Sequence, residues 1–397
     1  MFSKEVVSNL GRSSVVRAMF EEGARLKKIY GNDKVYDFSI GNPDVEPPQK
    51  AREVLREMSK DLSTGTHKYM SNAGYLEARS AISQQISKEH ETDVSPDLIC
   101  MTCGAAGGLN VVLKSILNPQ EEVIVFAPYF VEYLFYVKNF GGVPVIVETD
   151  ENFDIDVSVL ESKINHNTKA ILINSPNNPT GVIYSKEKLA EINEMLEKKQ
   201  KELGIDIYVL ADEPYAKISY GVEVPSVLQA FKNSIIVNSY SKSLALPGER
   251  IGYIAVNPKI AEVGVLMDAI LFCNRTLGYV NAPAIAQRLV TALIDEQVDV
   301  GAYQEKRDIF YNGLLKLGFT CNKPDGAFYL FVKSPITDET IFVKNALENY
   351  QIIAAPGGGF GRKGYFRLAY CVSKEVIINS LPQFEKLAKE YFGGSRI

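Results

Sequence analysis

The chain is poor in the groups that build metal centres and disulfide frameworks. It has three histidines, His67, His90 and His166, far apart in sequence, and such scatter disfavours a metal-dependent enzyme. The five cysteines, Cys100, Cys103, Cys273, Cys321 and Cys371, are odd in number and irregular in spacing, which argues against a disulfide scaffold. Cys100 and Cys103 form one C-x-x-C, but no second pair follows; two small residues at a strand end is the plainer reading. No apolar run reaches the ~18 residues of a membrane span. There is no long basic tract, and the formal net charge is −5, so nucleic acid is not the expected partner. Met1-Phe2-Ser3-Lys4-Glu5 has no apolar signal core, which makes the cytoplasm the expected compartment.

What is present describes an α/β protein. The 397 residues suffice for two domains. Apolar runs at 123–127, 143–147, 170–174, 207–211, 235–238 and 251–256 recur between polar stretches. Residues 185–203 read as the clearest helix, with Leu189, Ile192 and Leu196 on one face and Ser185 as N-cap. Short apolar strands alternating with helices imply a mainly parallel sheet covered on both sides. Residues 61–74 read as a polar loop. Helices are expected at 109–117, 262–271 and 284–295, with 273–283 irregular. A helix at 304–317 and strands at 326–332 and 365–369 suit a smaller α+β domain.

The chemistry concentrates after the run 235–238, in Ser239-Tyr240-Ser241-Lys242, followed by Gly248-Glu249-Arg250. A lysine at the end of a buried strand loses hydration, and its pKa falls. That suits Schiff-base chemistry with an aldehyde cofactor. Ser239, Ser241 and Arg250 are the donors a phosphate needs. Together they suggest pyridoxal phosphate carried on Lys242. Asp212, in Asp212-Glu213-Pro214-Tyr215, ends the run 207–211; it reads as a helix cap or as the partner of a protonated pyridine nitrogen. Tyr215 is placed to donate to the ring's phenolic oxygen. Asn177-Asn178-Pro179-Thr180-Gly181 reads as a strand-ending turn or as a ligand loop at a carboxyl end. Gly104-Ala105-Ala106-Gly107-Gly108 lets backbone amides approach an anion at a helix start. An aromatic of Pro128-Tyr129-Phe130-Val131-Glu132-Tyr133 either stacks on a flat ring or packs in the core. Arg367, inside the apolar run 365–369, demands an anion, either an internal carboxylate or a substrate carboxylate.

The ordered set Asn-Pro-Thr-Gly, Asp-x-x-Tyr, Ser-x-Ser-Lys with Gly-x-Arg, and a late arginine resembles the class I/II aminotransferases, the fold type I pyridoxal-phosphate enzymes similar to aspartate aminotransferase. The resemblance runs from about Gly41 to Arg367. It implies a large domain with a mainly parallel seven-stranded sheet between helices, plus a smaller α+β domain. The implied boundaries are 1–46 for an N-terminal segment packing with the small domain, 47–285 for the cofactor-binding domain and 286–397 for the small domain. It implies an amino-group transfer between an L-amino acid and a 2-oxo acid, in two half-reactions through pyridoxamine phosphate. Lys242 is then the cofactor-bearing lysine and proton shuttle, Asp212 the partner of the ring nitrogen, and Tyr215 and Asn178 the contacts of the phenolic oxygen. Ser239, Ser241, Arg250 and the amides of Gly104, Ala105 and Ala106 hold the phosphate, and Phe130, with Tyr129 as fallback, stacks on the ring. Arg367 clamps the α-carboxylate beside Gly41. Tyr69 is similar to a tyrosine that reaches the phosphate of a partner subunit, which implies a homodimer with shared active sites.

Substrate choice is where the chain departs from the pattern. Some dicarboxylate-specific relatives carry a lysine in the glycine-rich loop, where this chain has Ala106. Others use an arginine from the partner chain, to which Arg275 lies close, about one residue out of register; it either reads a distal carboxylate or faces solvent. Gly108 stands where the family often has alanine, a change expected to be harmless. A lyase of the same fold, of the carbon–sulfur β-lyase or aminocyclopropane-carboxylate synthase type, shares the Asp, Tyr, Lys and Arg set and is the alternative reading. A non-catalytic cofactor-binding regulator ranks last, since the ~40 N-terminal residues are short for a DNA-binding domain.

Overall fold

A computed structural model describes residues 2–10, 14–31, 34–60, 65 and 67–393. Positions 61–64 and 66 of the expected 61–74 loop lie outside them. The centre of the molecule is a seven-stranded sheet. Its spatial order is Ile99–Thr102, Gly252–Val256, Ser234–Ser239, Tyr208–Asp212, Thr168–Asn174, Glu122–Ala127 and Val143–Glu148. Four of the six ladders are parallel; Gly252–Val256 runs antiparallel to both its neighbours. The central strands are buried on both faces, which is why they read as continuous apolar runs rather than alternating ones. One apolar cluster lies on each face of the sheet.

The helix Lys186–Leu203 begins where expected. Ser185 Oγ accepts from the Lys188 amide at 3.1 Å, and Gly204 ends the helix at φ 65°. Several boundaries differ from expectation: the helix over 304–317 begins at Val300, and the one over 284–295 ends at Ala292. The helix over 109–117 starts five residues earlier, as Gly104–Ile116, and the helix over 262–271 continues to Thr276, into the stretch read as irregular. The early start places the glycines inside the helix, against the sheet. A Cβ on Gly108 would stand 2.7 Å from Val237 Cγ1. The glycine at 108 therefore suits this close approach of helix to strand, and an alanine there would crowd Val237.

A second core surrounds an antiparallel sheet of Ala355–Pro356, Tyr365–Ala369 and Tyr329–Lys333. The helices Val300–Lys316, Glu339–Tyr350 and Lys374–Phe392 cover it. Its strand starts at Tyr329 rather than 326, since Ala327 takes φ 55° and turns the chain. The N-terminal part belongs to this core: Tyr36–Asp37 pairs with Ile352–Ile353 in parallel, and the Phe38 ring lies 4.8 Å from that of Phe310.

Candidate active site

Three strands of the large sheet end at one place. Asn174, Asp212 and Ser239 close adjacent parallel strands, so their carboxyl ends supply neighbouring polar groups to one crevice. The crevice opens into a cavity of about 580 Å³ between the two cores. Gly41, Ala105, Ala106, Phe130, Asn178, Asp212, Tyr215, Ser239, Ser241, Lys242, Arg250 and Arg367 all line it. Gly104 adjoins it, since a Cβ there would touch the Arg250 guanidinium at 2.9 Å.

Lys242 Nζ donates to the carbonyl of Gly41 at 2.7 Å and lies 5.5 Å from the centre of the Phe328 ring. Burial pulls its pKa down to about 8, so a useful fraction is the neutral, nucleophilic amine near neutral pH. Gly41 must be glycine, because a Cβ would fall 2.0 Å from Tyr329 Oη. That hydroxyl shares a 2.7 Å hydrogen bond with Tyr215 Oη. Asp212 is fully enclosed. Tyr133 donates to its Oδ2, while Oδ1 is buried without a partner. Burial raises the carboxyl to about 7, against the lowering effect of the Tyr133 bond.

Arg367 is 4% exposed. Nη1 donates to Asn178 Oδ1 at 3.0 Å and Nη2 to the Ser39 carbonyl at 2.6 Å. Its guanidinium sits 4.6 Å from the centres of both the Tyr329 and Phe360 rings. Nε is buried without a partner. Neither of these hydrogen-bond partners is a carboxylate, so among the described residues the internal ion pair weighed from sequence is not formed. Arg250 adopts φ 49° and donates to the Pro247 carbonyl at 3.0 Å. That conformation lays its guanidinium over Gly104, at the amino end of the helix Gly104–Ile116. Phe130 lines the cavity, whereas Tyr129 packs on Gly361 and donates its amide to the Phe360 carbonyl. Two residues stand apart. Tyr69 is 90% exposed, and Arg275 is exposed over the Phe272 ring at 5.7 Å; neither lines the cavity of its own chain.

Sequence reasoning did not reach Tyr329, Phe360 and Glu132 as wall residues, and it left Tyr133 as one aromatic among those of the run 128–133; all four line the cavity. Tyr133 follows Phe130 by three residues and its amide bonds the Phe130 carbonyl, a one-turn spacing that would have found it. Tyr329 had no such signal, because its strand is apolar on both faces.

Pyridoxal phosphate fits this donor set. The unpartnered Asp212 oxygen requires a cationic N–H, Lys242 is a depressed amine, and the helix start with Arg250 is an anion cradle. Comparison with known proteins points the same way. The family model "Aminotransferase class I and II" matches residues 33–381. The aspartate aminotransferase of Thermotoga maritima is 31% identical over 384 residues, 96% of this chain and 97% of that protein. A probable aspartate/prephenate aminotransferase of Aquifex aeolicus is 31% identical, covering 90% and 91%. The crystal structure of an aminotransferase from Eubacterium rectale superposes with a TM-score of 0.94 at 41% identity, over 98% and 99% of the chains. That of the Thermus thermophilus aspartate aminotransferase with maleate gives 0.84 at 29%, over 94% and 96%. These matches do not favour the lyase alternative. The chain belongs to the class I and II aminotransferases: it is a pyridoxal-phosphate-dependent enzyme that moves an amino group between an L-amino acid and a 2-oxo acid.

Proposed function

We propose that the cavity residues divide the work of transamination as follows, and the unpartnered Oδ1 of Asp212 is the observation that carries the reading. Bound pyridoxal phosphate supplies an electron sink for the substrate α-carbon. Asp212 holds the ring nitrogen protonated, with Tyr133 fixing the carboxylate's orientation. Tyr215 and Asn178 face the phenolic oxygen, and Phe130 covers the ring. The amides of Gly104, Ala105 and Ala106, with Ser239, Ser241 and Arg250, hold the phosphate. Lys242 carries the cofactor at rest and, once displaced, moves the α-proton through its neutral amine. Arg367 receives the α-carboxylate through its free Nε beside Gly41; Asn178 and the stacked rings hold the guanidinium flat for that contact.

We place the domain boundaries at residues 46 and 285, the N-terminal segment packing with the small domain. We infer a homodimer acting in the cytoplasm, with Tyr69 and Arg275 serving the site of the opposite subunit. Exposed Tyr69, Leu76, Phe272 and Ile285 support this. Their segments are joined where Asn281 donates to the Ser71 carbonyl and Asn274 to the Asn72 carbonyl, so the apolar side chains gather in one region. Among the described residues, no helix is long and apolar enough to cross a membrane.

The test is the visible absorption of the cofactor-loaded enzyme with a panel of L-amino acids. Conversion to the pyridoxamine form, with one 2-oxo acid per site, is expected. Release of pyruvate and ammonia with the band intact would instead mean lyase chemistry. Lys242→Ala is expected to lose both the covalently held cofactor and turnover; full transamination by this variant would remove Lys242 from its role.

A further inference from the structure

The cavity wall carries a second carboxylate that the transfer chemistry leaves unused. Asp212 and Glu132 are its two acidic residues among those described, set against Lys242, Arg250 and Arg367. Glu132 begins the short helix Glu132–Lys138. One reading is local: an acidic side chain in a first turn satisfies its own amide, and such a bond does help hold its charge. That role alone would leave the other oxygen in solvent. Instead Oε2 is sealed from solvent and has no hydrogen-bond partner. Burial pushes the carboxyl above its usual range, opposed by that amide and by the Arg367 charge. The groups that interact with this carboxyl electrostatically are the Arg367 guanidinium and the hydroxyls of Tyr136 and Tyr329.

All three cations of the wall are committed elsewhere, to the cofactor, its phosphate and the α-carboxylate. Once a substrate carboxylate neutralises Arg367, Glu132 loses the positive charge nearest to it. A second carboxylate on the substrate would then meet a desolvated carboxylate, which costs either repulsion or uptake of a proton. A side chain ending in N–H groups would give the buried oxygen the donor it lacks.

We propose that Glu132 is the specificity residue of this aminotransferase, selecting amino acids whose side chains end in a nitrogen donor, a carboxamide or a cation, and rejecting aspartate and glutamate. This rests on Arg367 holding the α-carboxylate. It sets this chain apart from the relatives whose names specify aspartate.

The experiment compares kcat/KM for glutamine with glutamate, and for asparagine with aspartate, in the cofactor-loaded wild type, Glu132→Gln and Glu132→Ser. The wild type is expected to favour each amide by about tenfold or more, the span of one charge-assisted hydrogen bond, and both substitutions to shrink that ratio by about as much. Binding of two unreactive acids, succinamate and succinate, by calorimetry asks the same question without turnover; succinamate is expected to bind tighter, and Glu132→Gln to close the gap. Wild-type preference for aspartate or glutamate, with the ratios unchanged in both variants, would overturn the proposal and point to a cation brought by a partner subunit. Wild-type turnover of alanine separates the two readings. Alanine turned over with flat amide-to-acid ratios counts against Glu132 alone. No transfer from any amino acid counts against the site, and the calorimetric comparison still decides for or against Glu132.

Discussion

Asp212 shows how a buried carboxyl in the cavity wall strains the fold that holds it. Its carboxyl is enclosed, with one oxygen bonded to Tyr133 and the other to nothing. Burial raises its pKa from 3.8 to about 7. Between those values the folded state holds a proton that the unfolded chain releases, so stability falls as pH rises through that window and levels off above about 7. Asp212→Asn removes this titration. In cofactor-free protein the variant is expected to gain on the wild type as pH rises from 5 to 7, by about 2 kcal/mol, and to hold a constant lead above about pH 8. Lys242 titrates at higher pH and is common to both proteins, so it cancels. Urea midpoints from pH 5 to 9 would show it; a gap independent of pH would mean the carboxylate is not desolvated. The same variant is expected to lose roughly 10²–10³-fold in transamination, since the charge that stabilises the ring nitrogen is gone. Loading the wild type with pyridoxal phosphate should narrow the stability gap, because the ring nitrogen gives Oδ1 its missing donor.

The helix Gly104–Ile116 links stability to cofactor binding through one close contact. Its glycines oppose helix formation by intrinsic propensity, which is why the sequence pattern starts the helix only at 109. The strand packed beneath decides otherwise: Gly108 meets Val237 where a Cβ would be 2.7 Å from Cγ1, and only a bare backbone lets the helix sit that low. Gly108→Ala is therefore expected to destabilise by about 1–3 kcal/mol. It should also weaken pyridoxal phosphate binding, because lifting the helix moves the amides of Gly104, Ala105 and Ala106 relative to Arg250. Val237→Ala in the same chain removes the obstructing methyl and is expected to restore both. Urea denaturation and cofactor titration of the three proteins provide the check. Restored stability without restored affinity would separate the helix position from the cradle.

Across the whole molecule, the legible parts were those that a single element carries. The strands 123–127 and 235–238 could be read because buried parallel strands are continuous apolar runs, and Lys242, Asp212 and Asn178 because each follows such a strand. Tyr329 and Phe360 belong to the same small core as Arg367 and meet it through the antiparallel sheet and the turn beside it; what no spacing in the chain encodes is the approach of this group to Asn178 when the two cores meet. Glu132 carried no signal of its own in the sequence, because only the fold shows that one of its carboxylate oxygens is buried without a partner. Tyr69 and Arg275 extend the same logic beyond one chain, since each stands exposed and away from the cavity of its own subunit. If Tyr69 reaches the phosphate of a neighbour, cofactor affinity must depend on assembly. The chain is expected to sediment at twice its 44.0 kDa, and Phe272→Glu, which puts a charge into the exposed apolar region, to shift it toward the monomer. The monomer should bind pyridoxal phosphate about tenfold or more weakly, the size expected for one lost hydrogen bond to a charged group. Tyr69→Phe should reproduce that loss while sedimenting as the dimer. A Phe272→Glu monomer with undiminished affinity would show that each subunit completes its own site.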